Sequence, residues 1–361
     1  MSAHHPIGID DTRRRLSLAA VLLAASSFMK FPGTPGAHAA GGNPARSIEG
    51  STSDDGFRAN KRVRAGELLV HYSDVGPSNG QAVLLLHGWP YDIQTYADAS
   101  LRLADAGFRV IVPYLRGFGS TQFLSARTPR NGQQSVLARD AIALLDALGI
   151  QQAVIGGCDW GARTANIVAA LRPERVAGLV SVSGYLIGSQ AAGEKPLMPE
   201  AELAWWYQFY FSTKRGRDGY ESNRKEFARL IWRLASPKWD FTDEIFNRSA
   251  RSLENADHVP VVIDNYRWRL GLSRGDPGLD GIEAALARMP GISVPTITLE
   301  GDSNGAPHPP SGSYRSKFTG IYEHREIAGG VGHNLPQEAP DAFASAVLDV
   351  LAMASPRHPD R

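Results

Sequence analysis

The stretch Gly-Cys-Asp-Trp-Gly-Ala at residues 157–162 constrains the fold more than any other part of this chain. It follows the apolar run Ala153-Val154-Ile155 and precedes an alanine-rich segment with helical spacing. Small residues two positions before and after a central residue are typical of a nucleophile elbow. This strained strand-to-helix turn pushes one side chain into a cleft. The sequence therefore predicts a strand, a sharp turn and a helix around Asp159.

The residue at the centre of this turn narrows the chemistry. Serine is the usual occupant, whereas this chain has Asp159. A carboxylate does not perform ordinary serine-esterase chemistry, but it can displace a leaving group at a saturated carbon and form an alkyl ester. We therefore predict that Asp159 is a nucleophile. Its neighbour Cys158 is the only cysteine of the chain, so no intrachain disulfide is possible, and we expect Cys158 to pack behind the turn.

Short apolar runs that alternate with helical patterns predict the fold class. The runs fall at residues 68–70, 82–86, 110–112, 153–155, 179–182 and 296–299, and a further strand is expected at 323–327. Near-continuous apolar runs of this length suit a parallel sheet that is buried on both faces. Apolar residues recur at helical spacing over 137–148 and 343–351. We predict an α/β fold with a mostly parallel central sheet and helices on both faces.

The segment 186–288 interrupts this alternation. It is rich in aromatic residues and arginine, and its apolar residues have helical spacing. We interpret it as a helical lid inserted between two parts of the sheet domain, residues 61–185 and 289–361. A helical decoration packed away from the site is the alternative. The aromatic content of the segment favours a lid that covers an apolar pocket. We assign Trp206 and Tyr210 to that pocket.

The first forty residues have the three regions of a secretory signal peptide. Three arginines at 13–15 precede an apolar run at 16–29, and Ala37-His38-Ala39 supplies a cleavage pattern. Thr12 before the arginines suggests twin-arginine export, so the sequence predicts a periplasmic location. An amphipathic helix or a misassigned start are the alternatives. Residues 41–60 are interpreted as a flexible lead-in.

The net charge and the histidine spacing limit the partners. The net charge of +1 gives no indication of binding to nucleic acid or to an anionic membrane surface. The apolar run near the start is too short for a comfortable membrane span. The histidines lack metal-ligand spacing, so we expect neither a metal nor a cofactor. The partner that we expect is a small apolar molecule, and the sequence does not indicate an oligomeric state.

Three further pieces would complete a site around Asp159. His87-Gly88-Trp89-Pro90 follows the strand that ends at Leu86, so the backbone amides of Trp89 and Trp160 are expected to form an oxyanion hole. His333 lies late in the chain, in a glycine-rich loop, and is the predicted base. Asp302, near the end of a strand, is predicted to orient His333. Glu300 is the rival carboxylate.

On these motifs the chain resembles the epoxide hydrolases of the α/β-hydrolase superfamily, over roughly residues 60–355. The histidine-glycine turn, the aspartate elbow followed by tryptophan, and the late acid and histidine carry the resemblance. The segments around Tyr207 and Tyr266 resemble those that bear the two catalytic tyrosines of that family. The resemblance implies that these phenols polarise the epoxide oxygen and pass it a proton. Tyr210, one helical turn away, is the alternative donor.

Other functions share parts of this arrangement. Haloalkane dehalogenases also use an aspartate elbow, but commonly place an asparagine where this chain has Trp89. Trp205 or Trp206 could supply the missing halide donor. Fluoroacetate-type dehalogenases place an arginine directly after the nucleophile, where this chain has Trp160. A non-catalytic receptor is the third alternative, and the set of nucleophile, base and acid argues against it.

Overall fold

The computed structural model describes residues 57–354, and its central element is one nine-stranded sheet. The strands are β1 (Lys61–Ala65), β2 (Leu68–Val75), β3 (Ala82–Leu86), β4 (Arg109–Pro113), β5 (Gln122–Phe123), β6 (Ala153–Gly157), β7 (Val176–Val182), β8 (Thr296–Gly301) and β9 (Tyr322–Ile327). Their order across the sheet is β1-β2-β4-β3-β6-β7-β8-β9, and β5 pairs with β2. From β4 to β9 all neighbours are parallel, whereas β2 is antiparallel to β1, β4 and β5.

Fourteen α-helices fall within the described residues. They are α1 (Ala97–Asp105), α2 (Gln134–Ala147), α3 (Trp160–Leu171), α4 (Gln190–Gly193), α5 (Pro199–Ala204), α6 (Trp206–Ser212), α7 (Lys214–Ser222), α8 (Arg224–Ala235), α9 (Asp243–Ala250), α10 (His258–Arg269), α11 (Asp280–Ala287), α12 (Ser311–Tyr314), α13 (Leu335–Glu338) and α14 (Pro340–Ala354). Helices α4 to α11 lie between β7 and β8, and we call residues 190–287 the helical insertion. Short 3₁₀ turns lie at Ile93–Tyr96, Pro173–Arg175, Arg251–Glu254, Pro277–Leu279 and Arg315–Lys317.

Burial explains why the central strands are almost wholly apolar. Every residue of β3 and β6 is buried, because helices cover both faces of the sheet there. One core cluster lies against α1 and α14 and includes Leu85, Val180 and Phe343. The other cluster includes Leu84 and Ile155 and continues into the helical insertion. The insertion therefore shares a hydrophobic core with one face of the sheet.

The fold class predicted from the sequence is confirmed, and each predicted strand run coincides with a strand. The short edge strands β1 and β5 were not predicted, because their residues are largely exposed and lack a continuous apolar run. The predicted signal peptide, residues 1–40, and most of the predicted lead-in lie outside the described residues. Between residues 57 and 354, no helix is long and apolar enough to cross a membrane.

Candidate active site

Asp159 lies at the turn between β6 and α3, with a backbone φ of 54°. A left-handed conformation is costly for a residue other than glycine, and such strain clusters at functional sites. The flanking glycines explain how the turn is tolerated. A Cβ atom on Gly161 would overlap the carbonyl of Leu86, and one on Gly157 would overlap the backbone of Gly161. This geometry is that of a nucleophile elbow.

The turn after β3 meets the carboxylate of Asp159 directly. The backbone N–H of Trp89 donates to Oδ1 of Asp159 at 2.8 Å. Gly88 makes this approach possible, because a Cβ atom there would overlap the Asp159 side chain. The bond between Trp89 and Pro90 is cis, a point that the sequence left open. The structure thus brings Trp89 and Asp159 together across 70 residues of sequence.

Several groups keep Asp159 ionised. Burial by itself would raise the pKa of this carboxyl. The facing imidazole of His333 and the backbone N–H groups of Trp89 and Trp160 outweigh burial, so the pKa lies below its ordinary value. Asp159 is therefore a carboxylate at neutral pH, which is the form that a nucleophile needs.

His333 faces Asp159 from the loop between β9 and α13. Its Nε2 lies 3.8 Å from Oδ2 of Asp159. The loop is held by side chains that the sequence analysis did not identify. The backbone N–H of His333 donates to Oγ of Ser236 at 3.0 Å, and that of Gly332 donates to Glu338 at 2.7 Å. The spacing of Glu338, one turn into the next helix, was the only signal available in the sequence.

Asp302 does not meet His333, so the predicted orienting contact is absent from the described residues. The carboxylate of Asp302 is exposed and accepts from the backbone N–H groups of Gly329 and Gly330, at 3.0 and 2.8 Å. Nδ1 of His333 is buried and has no hydrogen-bond partner in this part of the chain. The short aspartate side chain is already engaged at the start of the loop that carries the histidine. The rival Glu300 has one buried carboxylate oxygen, Oε2, that likewise lacks a hydrogen-bond partner here.

Tyr207 and Tyr266 meet as the resemblance implied. Their ring centroids are 5.3 Å apart with an interplanar angle of 86°. Burial raises the pKa of both phenols, and the negative charge of Asp159 raises it further. The rings of both also contact Trp89, each with a centroid distance of 5.3 Å. Both tyrosines are therefore neutral hydroxyls; Tyr207 lines the pocket over Asp159, whereas Tyr266 is buried and is not among the lining residues.

Trp206 and Tyr210, which we assigned to the pocket, do not line it. They lie on one face of α6, four residues apart, and that face packs against Phe227 of α8. The pocket wall is formed instead by the adjacent Trp205 and Gln208. Aromatic composition predicted a π-rich region correctly, but it did not distinguish the face toward the pocket from the face toward the helix core.

A buried hydrogen-bond chain behind Trp89 was not found by sequence reasoning. Nε1 of Trp89 donates to the hydroxyl of Tyr220 at 2.7 Å, and that hydroxyl lies 2.8 Å from Nε2 of His258. Nδ1 of His258 lies 2.8 Å from the carbonyl oxygen of Gly117. Burial lowers the pKa of His258 to about 3, so the ring is neutral, with Nδ1 as donor and Nε2 as acceptor. The chain fixes the indole whose backbone amide binds Asp159.

A pocket of about 500 Å³ opens over the carboxylate of Asp159. Asp159, His333, Trp89 and Tyr207 line it, together with residues of the helical insertion. Two arginines, Arg163 and Arg269, also line it, and neither was singled out from the sequence. The described residues contain no cluster of three or more histidine, cysteine, aspartate or glutamate side chains that could hold a metal ion. Cys158 is buried behind the elbow, where its Sγ lies 3.3 Å from the carbonyl oxygen of His333.

A parallel sheet with a strained aspartate elbow and a late histidine defines an α/β hydrolase. The family model for the alpha/beta hydrolase fold matches residues 81–219. A solved structure of a candidate epoxide hydrolase from Klebsiella pneumoniae is 60% identical, with a TM-score of 0.82. That match covers 83% of this chain and 100% of the other. The chain therefore belongs to the α/β-hydrolase family.

Relatives with named activities match over shorter stretches. Epoxide hydrolase 2 of Siraitia grosvenorii is 37% identical over 125 residues, which are 35% of this chain and 38% of that protein. The chain thus spans under two fifths of the length of that relative. A haloalkane dehalogenase of Psychrobacter cryohalolentis is 28% identical over 240 residues, covering 66% of this chain and 72% of that enzyme.

Proposed function

We propose that this protein hydrolyses epoxides to vicinal diols through an alkyl ester on Asp159. The observation that carries the proposal is the pair of phenols, Tyr207 and Tyr266, beside the carboxylate. An epoxide oxygen becomes an alkoxide as its ring opens, and an alkoxide leaves readily only when a donor meets it. Burial and the charge of Asp159 raise the pKa of both hydroxyls, so both carry their protons at neutral pH.

In the first step, a carboxylate oxygen of Asp159 attacks a ring carbon. Oδ1 accepts the hydrogen bond from Trp89, which leaves Oδ2 as the attacking atom. A C–O bond forms between Oδ2 and that carbon, and the ring C–O bond breaks. One of the two tyrosines donates its proton to the ring oxygen, giving a hydroxyalkyl ester. The helical insertion acts as a lid that encloses this step.

In the second step, water attacks the ester carbonyl carbon of Asp159. His333 accepts a proton from that water, and the negative charge that develops on Oδ1 is stabilised by the amides of Trp89 and Trp160. The bond between the carbonyl carbon and Oδ2 breaks, and the imidazolium of His333 gives its proton to Oδ2 as the diol leaves. The second hydrogen of the attacking water, now on the carboxyl group of Asp159, returns to the tyrosinate, so that Asp159 is again a carboxylate and His333 is again neutral. The 3.8 Å between Nε2 and Oδ2 supports this role for His333.

Haloalkane dehalogenation is the second candidate, and one observation favours it. Nε1 of Trp160 is buried and has no partner at standard hydrogen-bond geometry within the described residues, although its N–H is close enough to the hydroxyl of Tyr266 to lower the pKa of that phenol, so a departing halide would compete with Tyr266 for this donor. The other indole at the elbow is engaged, because Nε1 of Trp89 donates to Tyr220. A halide would therefore meet one indole donor at the elbow, and a second would have to come from Trp205.

Turnover of styrene oxide and of 1-bromobutane separates these candidates. We expect diol formation from styrene oxide, and a loss of about a hundredfold in kcat in Tyr207→Phe and in Tyr266→Phe. The matched control is Tyr210→Phe, which removes a hydroxyl on the same helix as Tyr207 but outside the pocket. Bromide release that survives both phenylalanine substitutions, with no diol formed, would move the function to dehalogenation. Inactivity toward both substrates would contradict the proposal for epoxides of this size.

We also propose that residues 1–40 direct export, as the arginines and the cleavage pattern of the sequence indicate. The test fuses this segment to a reporter that is active only outside the cytoplasm. Replacing Arg13 and Arg14 with lysine is expected to abolish export by the twin-arginine route. Export that persists in this variant would assign the segment to another route, and no export of the parent fusion would contradict the proposal.

A further inference from the structure

The pocket over Asp159 holds two guanidinium groups that the proposed reaction does not use. Arg163 lies on α3, four residues after the nucleophile, and Arg269 lies at the end of α10. Both line the pocket and both are half-buried. The side chain of Arg163 makes one hydrogen bond, from Nε to the carbonyl oxygen of Leu186 at 2.9 Å. This bond leaves both terminal nitrogens of the guanidinium without a protein acceptor among the described residues.

Arg269 is held in place by aromatic faces. Its guanidinium carbon lies 5.3 Å from the ring centroid of Trp205 and 5.7 Å from that of Tyr266. Stacking of this kind orients the planar group and leaves its edge free to donate hydrogen bonds. Within residues 57–354, no carboxylate lies within ion-pair distance of either arginine.

The acidic groups around the pocket do not neutralise this pair. Glu202 is occupied, because it accepts the backbone N–H of Leu197 at 2.6 Å. Glu194 is exposed at the rim, next to the equally exposed Lys195. Asp159 raises the pKa of Arg163 through space, but not enough to offset burial and the charge of Arg269, and no hydrogen bond joins the two side chains within residues 57–354. Two cations that are partly withdrawn from water, with no carboxylate of the described residues at ion-pair distance, are costly unless a ligand supplies the counter-charge.

The electrostatic interaction between the two arginines also favours a bound anion in the pocket. The pKa of Arg163 is lowered to about 10, first by burial and then by the positive charge of Arg269. The two guanidiniums therefore act on one another across the pocket, yet Arg163 stays protonated at neutral pH. An anion between them would relieve this repulsion and would form charge-assisted hydrogen bonds to planar donors.

We propose that Arg163 and Arg269 form a carboxylate-binding subsite, so that the preferred substrate is an epoxide with an apolar chain and a carboxylate at its far end. This inference rests on the proposed epoxide hydrolysis for the reacting end of the substrate. The arginines bind the other end. Apolar residues that line the same pocket, which include Leu186 and Ile187, contact the chain of the substrate. The carboxylate takes no part in bond making, so its effect falls on KM rather than on kcat.

The test compares 7,8-epoxyoctanoate with 7,8-epoxyoctanamide, in which the charge is far enough from the ring to leave its reactivity unchanged. We expect kcat/KM for the carboxylate to exceed that for the amide by at least about tenfold, as for a charge-assisted hydrogen bond. Arg163→Met and Arg269→Met should each lower kcat/KM for the carboxylate by more than that for the amide, so that most of the preference is lost whatever happens to the rate on the amide. Arg163→Lys, which keeps the charge, should retain part of it.

Arg215→Met is the matched control, because Arg215 is exposed on α7 and does not line the pocket. This variant should keep the full preference for the carboxylate. A wild type that hydrolyses both epoxides equally, with no change in the arginine variants, would overturn the subsite and leave the proposed function intact. Equal losses for both epoxides in Arg163→Met would mean that Arg163 acts on Asp159 rather than on the substrate. That result would also overturn the proposed subsite.

A binding measurement keeps the two proposals separable. Calorimetry with the unreactive pair octanoate and octanamide reports on the subsite without any chemistry. Octanoate should bind the wild type at least about tenfold more tightly, and the difference should shrink with added salt and disappear in the arginine variants. If neither epoxide is hydrolysed but this preference is found, the proposed function fails and the subsite stands. If neither turnover nor preference is found, both fail.

Discussion

The two sides of Asp159 are organised differently. On one side, the amide of Trp89 binds Oδ1, and the indole of Trp89 is fixed through Tyr220 and His258 down to a backbone carbonyl. On the other side, the backbone of His333 is held by Ser236, but Nδ1 of its imidazole is buried without a hydrogen-bond partner in the described residues. The amide side is a continuous network, and the histidine side ends at the ring.

This difference separates the two chemical steps. Ester formation needs an oriented carboxylate, and the amide of Trp89 fixes that orientation by donating to Oδ1. Ester hydrolysis needs an imidazole whose Nε2 accepts a proton, so the proton of the neutral ring must sit on Nδ1. A buried donor without an acceptor costs about 1–3 kcal/mol. We therefore expect ester hydrolysis to be the slower step, and the predictions below test the two sides from the largest effect to the smallest.

Removing the imidazole should produce the largest effect. In His333→Gln we expect kcat to fall by about 10²–10⁴-fold, because water is no longer activated, while the ester still forms. Intact-protein mass spectrometry after mixing with styrene oxide should show one substrate mass added per chain. The control is His324→Gln, which removes an imidazole from β9. If the variant loses its activity without accumulating the adduct, the histidine is needed for ester formation and the division between the two sides is wrong.

Breaking the network on the amide side should have an intermediate effect. Tyr220→Phe leaves Nε1 of Trp89 and Nε2 of His258 without their shared partner. We expect a loss of about 1–3 kcal/mol in the free energy of unfolding, measured by urea denaturation. We also expect the rate of ester formation to fall by about tenfold in rapid-mixing experiments, since the amide of Trp89 loses its fixed position. Tyr210→Phe, on the neighbouring helix, is the matched control, and an equal loss there would indicate general damage to aromatic packing.

Acid should lower the free energy of unfolding through His258, which belongs to the same network. His258 has a pKa of about 3 in the folded protein, lowered by burial from an ordinary value of 6.5. Between these values the unfolded chain binds more protons than the folded one, so stability rises with pH and levels off above about pH 6.5. As the pH falls below that point, His258 should contribute a loss of about 1.4 kcal/mol per pH unit.

The variant His258→Asn isolates this contribution. Asparagine does not titrate in this range, and its amide N–H can donate to the carbonyl oxygen of Gly117 as Nδ1 of His258 does. Urea denaturation between about pH 4 and 6.5 should therefore give a shallower dependence on pH in the variant than in the wild type, by about 1.4 kcal/mol per unit. His87 is also buried, with a pKa of about 4, and its contribution remains in both proteins. Identical slopes would show that burial does not keep His258 neutral in solution.

The elbow could be predicted from sequence because its constraint is local. Glycines at 157 and 161 are required by overlap with backbone only a few residues away or on the adjacent strand, so a six-residue pattern identifies them. The central strands were also predictable, because burial on both faces makes them continuously apolar. The order of strands in the sheet was not, since it depends on which runs become neighbours.

The groups that sequence reasoning missed depend on long-range contacts. Tyr220 and His258 are 38 residues apart on different helices, and no spacing links them to Trp89. Arg163 and Arg269 lie on different helices, and no spacing in the sequence links them, because only the fold places both on the wall of one pocket. Asp302 was selected because it follows a strand at the expected place in the chain, but position along the chain does not determine which way a short side chain reaches.

Replacing Asp302 should have the smallest effect of these changes. Its carboxylate is exposed and accepts from the amides of Gly329 and Gly330, so Asp302→Asn retains one acceptor for the loop. We expect kcat on styrene oxide to change by less than about threefold, as for an exposed polar contact. Glu300→Gln is the informative comparison, because Oε2 of Glu300 is buried without a hydrogen-bond partner in the described residues, and its nearest basic group, Nε2 of His308, lies 3.8 Å away. A loss of about a hundredfold or more in Asp302→Asn, with the ester accumulating, would mean that this side chain swings to Nδ1 of His333 during turnover. The two sides of Asp159 would then be equally connected when substrate is bound.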